Sequence, residues 1–295
     1  MPTSETDNSL SSDQAESLDQ LQELVRRALE EDLGSGDRTS ELTVPAELRA
    51  EGKLSAKQKL VVAGLPVAEL VFRQLDTVVN WRGLVAEGAR VAAGDVLAEV
   101  EGRARKLLSA ERVALNFLQH LSGIATLTRK FAEQIKGTRA ELRDTRKTLP
   151  GLRALEKYAV LLGGGRNHRM QLDDGILIKS NHIRLAGGLK AALGKCAKET
   201  ALPVEVEVTS LEELREAEEA GAGLVLLDNM TPDEVRESVR WVQGRPGERV
   251  ALEVSGGVNL GNIRQYADTG VDYIAVGALT HSAPAADIHF RLEPA

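Results

Sequence analysis

The chain has 295 residues and a mass of 31.8 kDa, 42% hydrophobic but only 3% aromatic, so its core is aliphatic and suits packed βα units better than an all-β protein. A net charge of −7 argues against a nucleic-acid partner, and no apolar run approaches the roughly 18 residues of a membrane span. The start, MPTSETDNSLSSDQAES, has neither the basic nor the apolar part of a signal peptide, and the single Cys196 has no partner for a disulfide or metal site, so a cytoplasmic protein is expected.

Residues 1–17 are polar throughout and are expected to form a disordered tail. Residues 1–32 hold nine acidic residues against Arg26 and Arg27, which accounts for the whole net charge. From Leu18 the spacing of Leu21, Val25, Leu29 and Leu33 predicts a helix that Gly34 stops. Short strands follow between about 50 and 105, with glycines marking the turns. Ser109 opens SAERVALNFLQHLSGIATLTRKFAEQIK, in which Val113, Leu115, Phe117, Leu118 and Leu121 predict a buried helix and Ser122–Gly123 allows a break.

From about 140 onward strands alternate with helices: ELRDTR, GILIKSN, PVEVEVT, GLVLLDN, VALEVSGG and YIAVGAL, separated by stretches such as LRALEKYAVLL and TPDEVRESVRWVQ. Such a run implies a parallel sheet. An extra short strand between Lys147 and Lys179 would give seven strands, fewer than a complete barrel, so a short or open barrel is expected. The glycines of GGGRNHR (163–169) follow an apolar helix and not a strand, so they end that helix and do not form a phosphate loop. The division expected is a tail over 1–17, an N-terminal domain over 18–125 with 282–295 packed back on it, and a β/α barrel over 126–281.

In a parallel barrel the functional groups gather at the carboxyl ends of strands. Here those ends carry Arg146 and Lys147, Lys179, Glu207, Asp228, Ser255 with Gly256 and Gly257, and Gly277, while residues 139–190 hold eleven Lys/Arg against five Asp/Glu. Arg146, Lys147, His168, Arg169 and Lys179 suit an anion with carboxylates. Glu207 and Asp228 are hard oxygen ligands suited to Mg²⁺ bound through phosphates. SGG and VGA offer backbone N–H groups to a phosphate. Glu205 and Glu207 alternate on one side of VEVEV, so one of them can be a paired interior residue. Asp228 can instead cap the next helix, although Thr231 before Pro232 is the better cap.

The stretches ERVALNFLQHLSGIAT, TRKTLPGLRALEKYAVLLGGGRNHRMQLDDGILIKSNHI, LLDNM, EVSGGVN and GVDYIAVGALTHS closely resemble the quinolinate phosphoribosyltransferase family, over about residues 22–290. The resemblance implies an N-terminal α/β sandwich, an open seven-stranded β/α barrel and a homodimer or larger assembly. It implies that quinolinate and phosphoribosyl pyrophosphate give nicotinate mononucleotide, pyrophosphate and CO₂, with Mg²⁺ and no organic cofactor. It also implies that Arg146, Lys147, His168, Arg169, Lys179 and, from a neighbouring subunit, Arg112 surround quinolinate. Glu207 and Asp228 would serve metal and ribose, and Ser255, Gly256, Gly257, Gly277 and His281 the 5-phosphate. Lys147, Lys179, Glu207 and Asp228 would then be the catalytic residues. Two alternatives are a paralogue with another acceptor, which the cation set disfavours, and a silent binding barrel, which would have lost Lys179, Glu207 or Asp228.

Overall fold

A computed structural model describes residues 12–199, 201–246 and 249–295. The chain divides into two units, one made of the described residues up to Ser122 with Ala286–Ala295, the other of Gly123–Ala285. Of the tail expected over 1–17, residues 1–11 lie outside the described residues, and the rest belongs to helix α1 (Ser12–Leu33), which starts six residues before the expected Leu18.

The first unit continues with α2 (Arg38–Thr43), β1 (Arg49–Ala56), β2 (Leu60–Val61), α3 (Leu65–Leu75), β3 (Asn80–Gly83), β4 (Arg90–Val91), β5 (Val96–Arg103) and the start of α4 (Ala104–Gln134). Its main sheet is antiparallel in the order β12-β1-β5-β3, where β12 is Ile288–Pro294 at the end of the chain. Scarce aromatics cluster here: the Phe72 ring lies 5.9 Å from Trp81 and 5.6 Å from Phe290.

Helix α4 runs unbroken through Ser122 and Gly123, where a break was allowed for, and begins five residues before Ser109. Ser109 is not a cap: its hydroxyl donates to the Arg105 carbonyl one turn back. The Ser122 hydroxyl is buried and donates to the Ala63 carbonyl. At Gly123 a Cβ would lie 2.2 Å from the Pro284 carbonyl oxygen, so the small residue answers a close backbone approach. Packing therefore explains a dipeptide that reads as punctuation in the sequence.

The second unit contains β6 (Glu141–Arg143), α5 (Arg153–Gly163), β7 (Ile176–Ile178), α6 (Ser180–Ala186), α7 (Leu189–Glu199), β8 (Val204–Val208), α8 (Leu211–Glu219), β9 (Leu224–Asp228), α9 (Pro232–Gln243), β10 (Ala251–Ser255), α10 (Ile263–Ala267), β11 (Tyr273–Ala275) and α11 (Ala278–His281). Its six strands pair in parallel in the order β6-β11-β10-β9-β8-β7. The extra strand expected after Lys147 is reduced to one parallel bridge between Arg143 and Arg166 beside β6. The result is an α/β architecture of an antiparallel N-terminal sheet and an open barrel of six strands and a bridge.

The strands are short and apolar, with Val206, Val225, Leu227, Leu252 and Val254 fully buried, as expected for a parallel sheet covered by helices. Gly164 ends α5 with φ +95°, the left-handed turn expected of the glycine run. No helix among the described residues is long and apolar enough to cross a membrane.

The close approach at Gly123 has a measurable consequence. Gly123→Ala should lower the unfolding free energy by about 1–3 kcal/mol, because a carbonyl oxygen cannot rotate away as a side chain can. Chemical denaturation measures this, and an unchanged midpoint would show that the contact relaxes freely.

Candidate functional site

The carboxyl ends of the barrel strands enclose a cavity of about 620 Å³. Its walls include Arg146, Lys147, His168, Arg169, Lys179, Glu207, Asp228, Ser255, Gly256 and Gly257, ten of the residues singled out from the sequence. Parallel pairing brings them together, for example by placing Asp228 in register with Ser255.

Two of these segments are fixed by one buried ion pair. Asp144, directly after β6, and Lys157 on α5 are both fully buried, and the Lys157 ammonium donates to Asp144 Oδ1. Lys157 Nζ also donates to the His168 carbonyl at 2.9 Å, and the His168 N–H donates back to Asp144 Oδ1 at 2.8 Å. With its amide nitrogen turned toward Asp144, Asn167 donates to Asp144 Oδ2 at 2.7 Å. Burial pushes the Asp144 carboxyl up and the Lys157 ammonium down, each opposed by the other's charge. The pair thus ties the strand end that carries Arg146 and Lys147 to the loop that carries His168 and Arg169.

Arg146 and Arg169 make no ion pair among the described residues. The Arg146 Nε is buried without a partner, and the Arg169 guanidinium donates only to the neutral Gly175 carbonyl, at 3.0 Å. Burial, and then the charge of Arg146, lower the pKa of Arg169. Two guanidinium groups that repel each other on a cavity wall form a receptor for a compact anion. Lys147 crosses Gly277, where a Cβ would stand 2.9 Å from its Cδ and 3.3 Å from the His281 ring. Gly277 and His281 are thus beside Lys147 and are not among the residues lining the cavity.

His168 lines the cavity with both ring nitrogens already engaged. Nδ1 accepts the Arg169 N–H at 2.7 Å, which places the ring proton on Nε2, 2.9 Å from Glu205 Oε2. Burial opposes a charged ring, but the bond to Glu205 and the charge of Glu253 outweigh it and raise the His168 pKa. What His168 offers the anion is therefore the placement of Arg169, with no free nitrogen of its own.

Position along the strand, on one shared face, separates the two glutamates of β8. Glu205 is the buried partner of His168, whereas Glu207 lines the cavity and pairs with Lys179 at 2.8 Å. Asp228 does not cap a helix, because Thr231 caps α9 in a reciprocal box with Glu234. It accepts from the Asn229 amide at 2.8 Å.

Asn229 holds a left-handed φ of +55°, its N–H donates to the Ser255 carbonyl at 2.8 Å, and its side chain fills the space a Cβ at Gly256 would need, 2.2 Å away. Gly256 (φ +91°) and Gly257 (φ +66°) then turn the chain with no side chain in the way. That leaves an uncluttered backbone corner of the kind that cradles anions.

Glu207 and Asp228 fit a hard divalent cation bound through a ligand's phosphates, since both are carboxylates on neighbouring strands at the cavity wall. His168, Glu205 and Glu253 also bring potential ligand atoms within 4.8 Å of one another. That cluster is already compensated, because Arg143 donates to Glu253 Oε2 at 2.8 Å and His168 donates to Glu205.

The family model for the C-terminal domain of quinolinate phosphoribosyl transferase matches residues 124–291, and that for its N-terminal domain matches residues 37–122. The chain belongs to the quinolinate phosphoribosyltransferase family. It is 47% identical over 279 residues to the carboxylating nicotinate-nucleotide pyrophosphorylase of Mycobacterium leprae, covering 93% of this chain and 98% of that one. It is 41% identical over 271 residues to a probable enzyme of the same name from Bacillus subtilis, covering 91% and 92%. The solved nicotinate-nucleotide pyrophosphorylase of Francisella tularensis superposes with a TM-score of 0.86 at 39% identity, over 93% of this chain and 96% of that chain.

Within this quinolinate phosphoribosyltransferase architecture the sequence reading missed Thr145, Asn229 and Glu253 on the wall and Arg143, Asp144 and Lys157 behind it. Glu253 was within reach, since it lies two residues before Ser255 and the period of two that flagged Glu205 beside Glu207 applies there equally. Arg112, which only the family resemblance assigned to a neighbouring subunit's site, is exposed on α4 in the first unit, whereas the cavity lining comes from the second.

Removing one partner of the buried pair strands the other charge. Lys157→Met should cost about 3–5 kcal/mol in chemical denaturation, and adding Asp144→Asn should recover a large part of that. A single variant as stable as the double would show that the pair carries no such energy.

Proposed function

We propose that this protein transfers the phosphoribosyl group of phosphoribosyl pyrophosphate to the nitrogen of quinolinate with loss of CO₂, forming nicotinate mononucleotide and pyrophosphate. The observation that carries this reading is the pair Arg146 and Arg169, without anionic partners of their own, on the wall of a cavity whose other strand ends present carboxylates and a glycine corner. The charge order matches the substrates: a pyridine dicarboxylate against arginines, a ribose beside Glu207 and Asp228, and a 5-phosphate at Ser255–Gly257. Family membership supports the same reaction.

The chain's own groups account for the chemistry. As the bond from the ribose to pyrophosphate breaks, positive charge grows on the ribose carbon, and Glu207 and Asp228 stabilise it across the cavity. The pyridine nitrogen, oriented by Arg146 and Arg169 through the ring carboxylates, takes that carbon and becomes a cationic electron sink. The adjacent carboxylate then leaves as CO₂, its electron pair passing to the ring carbon. Lys147 and Lys179 supply further positive charge at the wall, and no organic cofactor enters the balance.

Mg²⁺, held by Glu207 and Asp228 together with the phosphates, would neutralise the departing pyrophosphate. The reading includes a homodimer in which the partner subunit's Arg112 completes the dicarboxylate site, in keeping with the exposure of that residue on α4. His281 and Gly277 complete the phosphate side behind Lys147. A cytoplasmic setting accords with the one free cysteine. A paralogue acting on another acceptor is disfavoured because two unneutralised arginines favour a dicarboxylate over a single carboxylate.

With Mg²⁺ and phosphoribosyl pyrophosphate, the protein should release CO₂ and nicotinate mononucleotide from quinolinate and leave nicotinate unchanged. Turnover of nicotinate alone would contradict the assignment. In the same assay, mixing inactive Arg112→Ala and Lys179→Ala proteins should restore part of the activity. No recovery despite subunit exchange would contradict a shared site.

A further inference from the structure

The reaction leaves one requirement unmet by the groups considered so far. When the ring carboxylate departs as CO₂, the electron pair of the broken C–C bond remains on the ring carbon, and a proton must be delivered there. We propose that Glu253 is the acid that delivers it, with Arg143 and His168 as the positioning residues that hold it. This inference rests on the reaction proposed above.

Glu253 lines the cavity from the middle of β10, yet it is fully buried. One of its oxygens, Oε2, accepts from Arg143 at 2.8 Å. The other, Oε1, is buried and has no hydrogen-bond partner among the described residues. It lies 3.6 Å from His168 Nε2, whose proton is directed to Glu205 at 2.9 Å. An acid proton on Glu253 therefore belongs on Oε1, where it is a donor without an acceptor among the described residues.

The surroundings favour a retained proton near neutrality. β6 presents the Arg143 guanidinium, which lies 3.2 Å from the centroid of the Tyr273 ring on β11. β9 presents only Leu226 in register with Glu253. The loop after α5 presents His168, and β8 presents Glu205. Burial first, and then the like charge of Glu205, raise the Glu253 carboxyl to about 7 against the pull of His168 and Arg143.

The transfer balances. The C–C bond breaks with its pair on the ring carbon, the O–H bond of Glu253 breaks as the new C–H bond forms, and Glu253 is left as a carboxylate. Arg143 already holds one oxygen of that carboxylate, and the His168 N–H stands beside the other. Solvent restores the proton after product leaves.

Glu253→Gln tests this, because the amide keeps an oxygen for Arg143 and fills the same volume but has no acid proton. The variant should bind quinolinate with KM within about threefold of the parent while kcat for nicotinate mononucleotide formation falls at least about 100-fold. A kcat within about threefold of the parent would overturn the role of Glu253 while leaving the reaction assignment intact. A parent protein that releases no CO₂ from quinolinate would overturn the assignment and this inference together.

Should the variant not fold, the parent's own pH profile decides. A general acid acts only while protonated, so kcat should fall as pH rises through about 7. A kcat flat between about pH 6 and about pH 9 would overturn the proposal.

Discussion

The site depends on a single buried ion pair. Asp144 and Lys157, neither touched by solvent, hold the end of β6 and the loop after α5 in one arrangement, and every cation on that side of the cavity hangs from one or the other. Burying two charges is costly, and such pairs are often no better for stability than apolar residues of the same size. What the pair supplies is position: Asp144 Oδ1 receives both the Lys157 ammonium and the His168 N–H, so Arg146 and Arg169 are brought close enough to repel each other. A second set of charged groups, Arg143, Glu253, His168 and Glu205, reaches the same wall and fixes the His168 ring.

The parallel sheet extends this local arrangement around the cavity. Because the strand ends open on one face in the order β6, β11, β10, β9, β8, β7, each contributes between one and four residues to the cavity, and chemical character changes from strand to strand. Cations come from the ends of β6 and β7, carboxylates from β8 and β9, and backbone corners from β10. A substrate pair with carboxylates at one end and phosphates at the other has one favoured orientation in such a field.

Much of this was legible in the sequence, and the limits have physical causes. Residues at strand ends could be read because a parallel barrel leaves them one face to occupy, and eight of them meet on the cavity wall. Helix α5 shows a limit of polarity as a guide: Glu156 and Lys157 are fully buried, whereas Tyr158 and Leu161 are exposed. Periodicity reports average polarity and cannot show that a lysine has a partner waiting inside. The same holds for Ser122–Gly123, where the close carbonyl of Pro284 is distant in sequence. His168 lines the cavity, but its hydrogen bonds to Arg169 and Glu205 involve one neighbour in the chain and one residue 37 positions away, a geometry spacing does not encode.

The central claim is that strand ends sort charge so that the pyridine carboxylates face Arg146 and Arg169 and the 5-phosphate faces Ser255–Gly257. A crystal structure of the protein with quinolinate and a non-reactive phosphoribosyl pyrophosphate analogue measures that arrangement directly. The account predicts both carboxylates within hydrogen-bond distance of the arginine wall and the 5-phosphate on the backbone of the Gly256–Gly257 corner. Quinolinate bound in the opposite sense, or the 5-phosphate seated on Arg146 and Arg169, would contradict it.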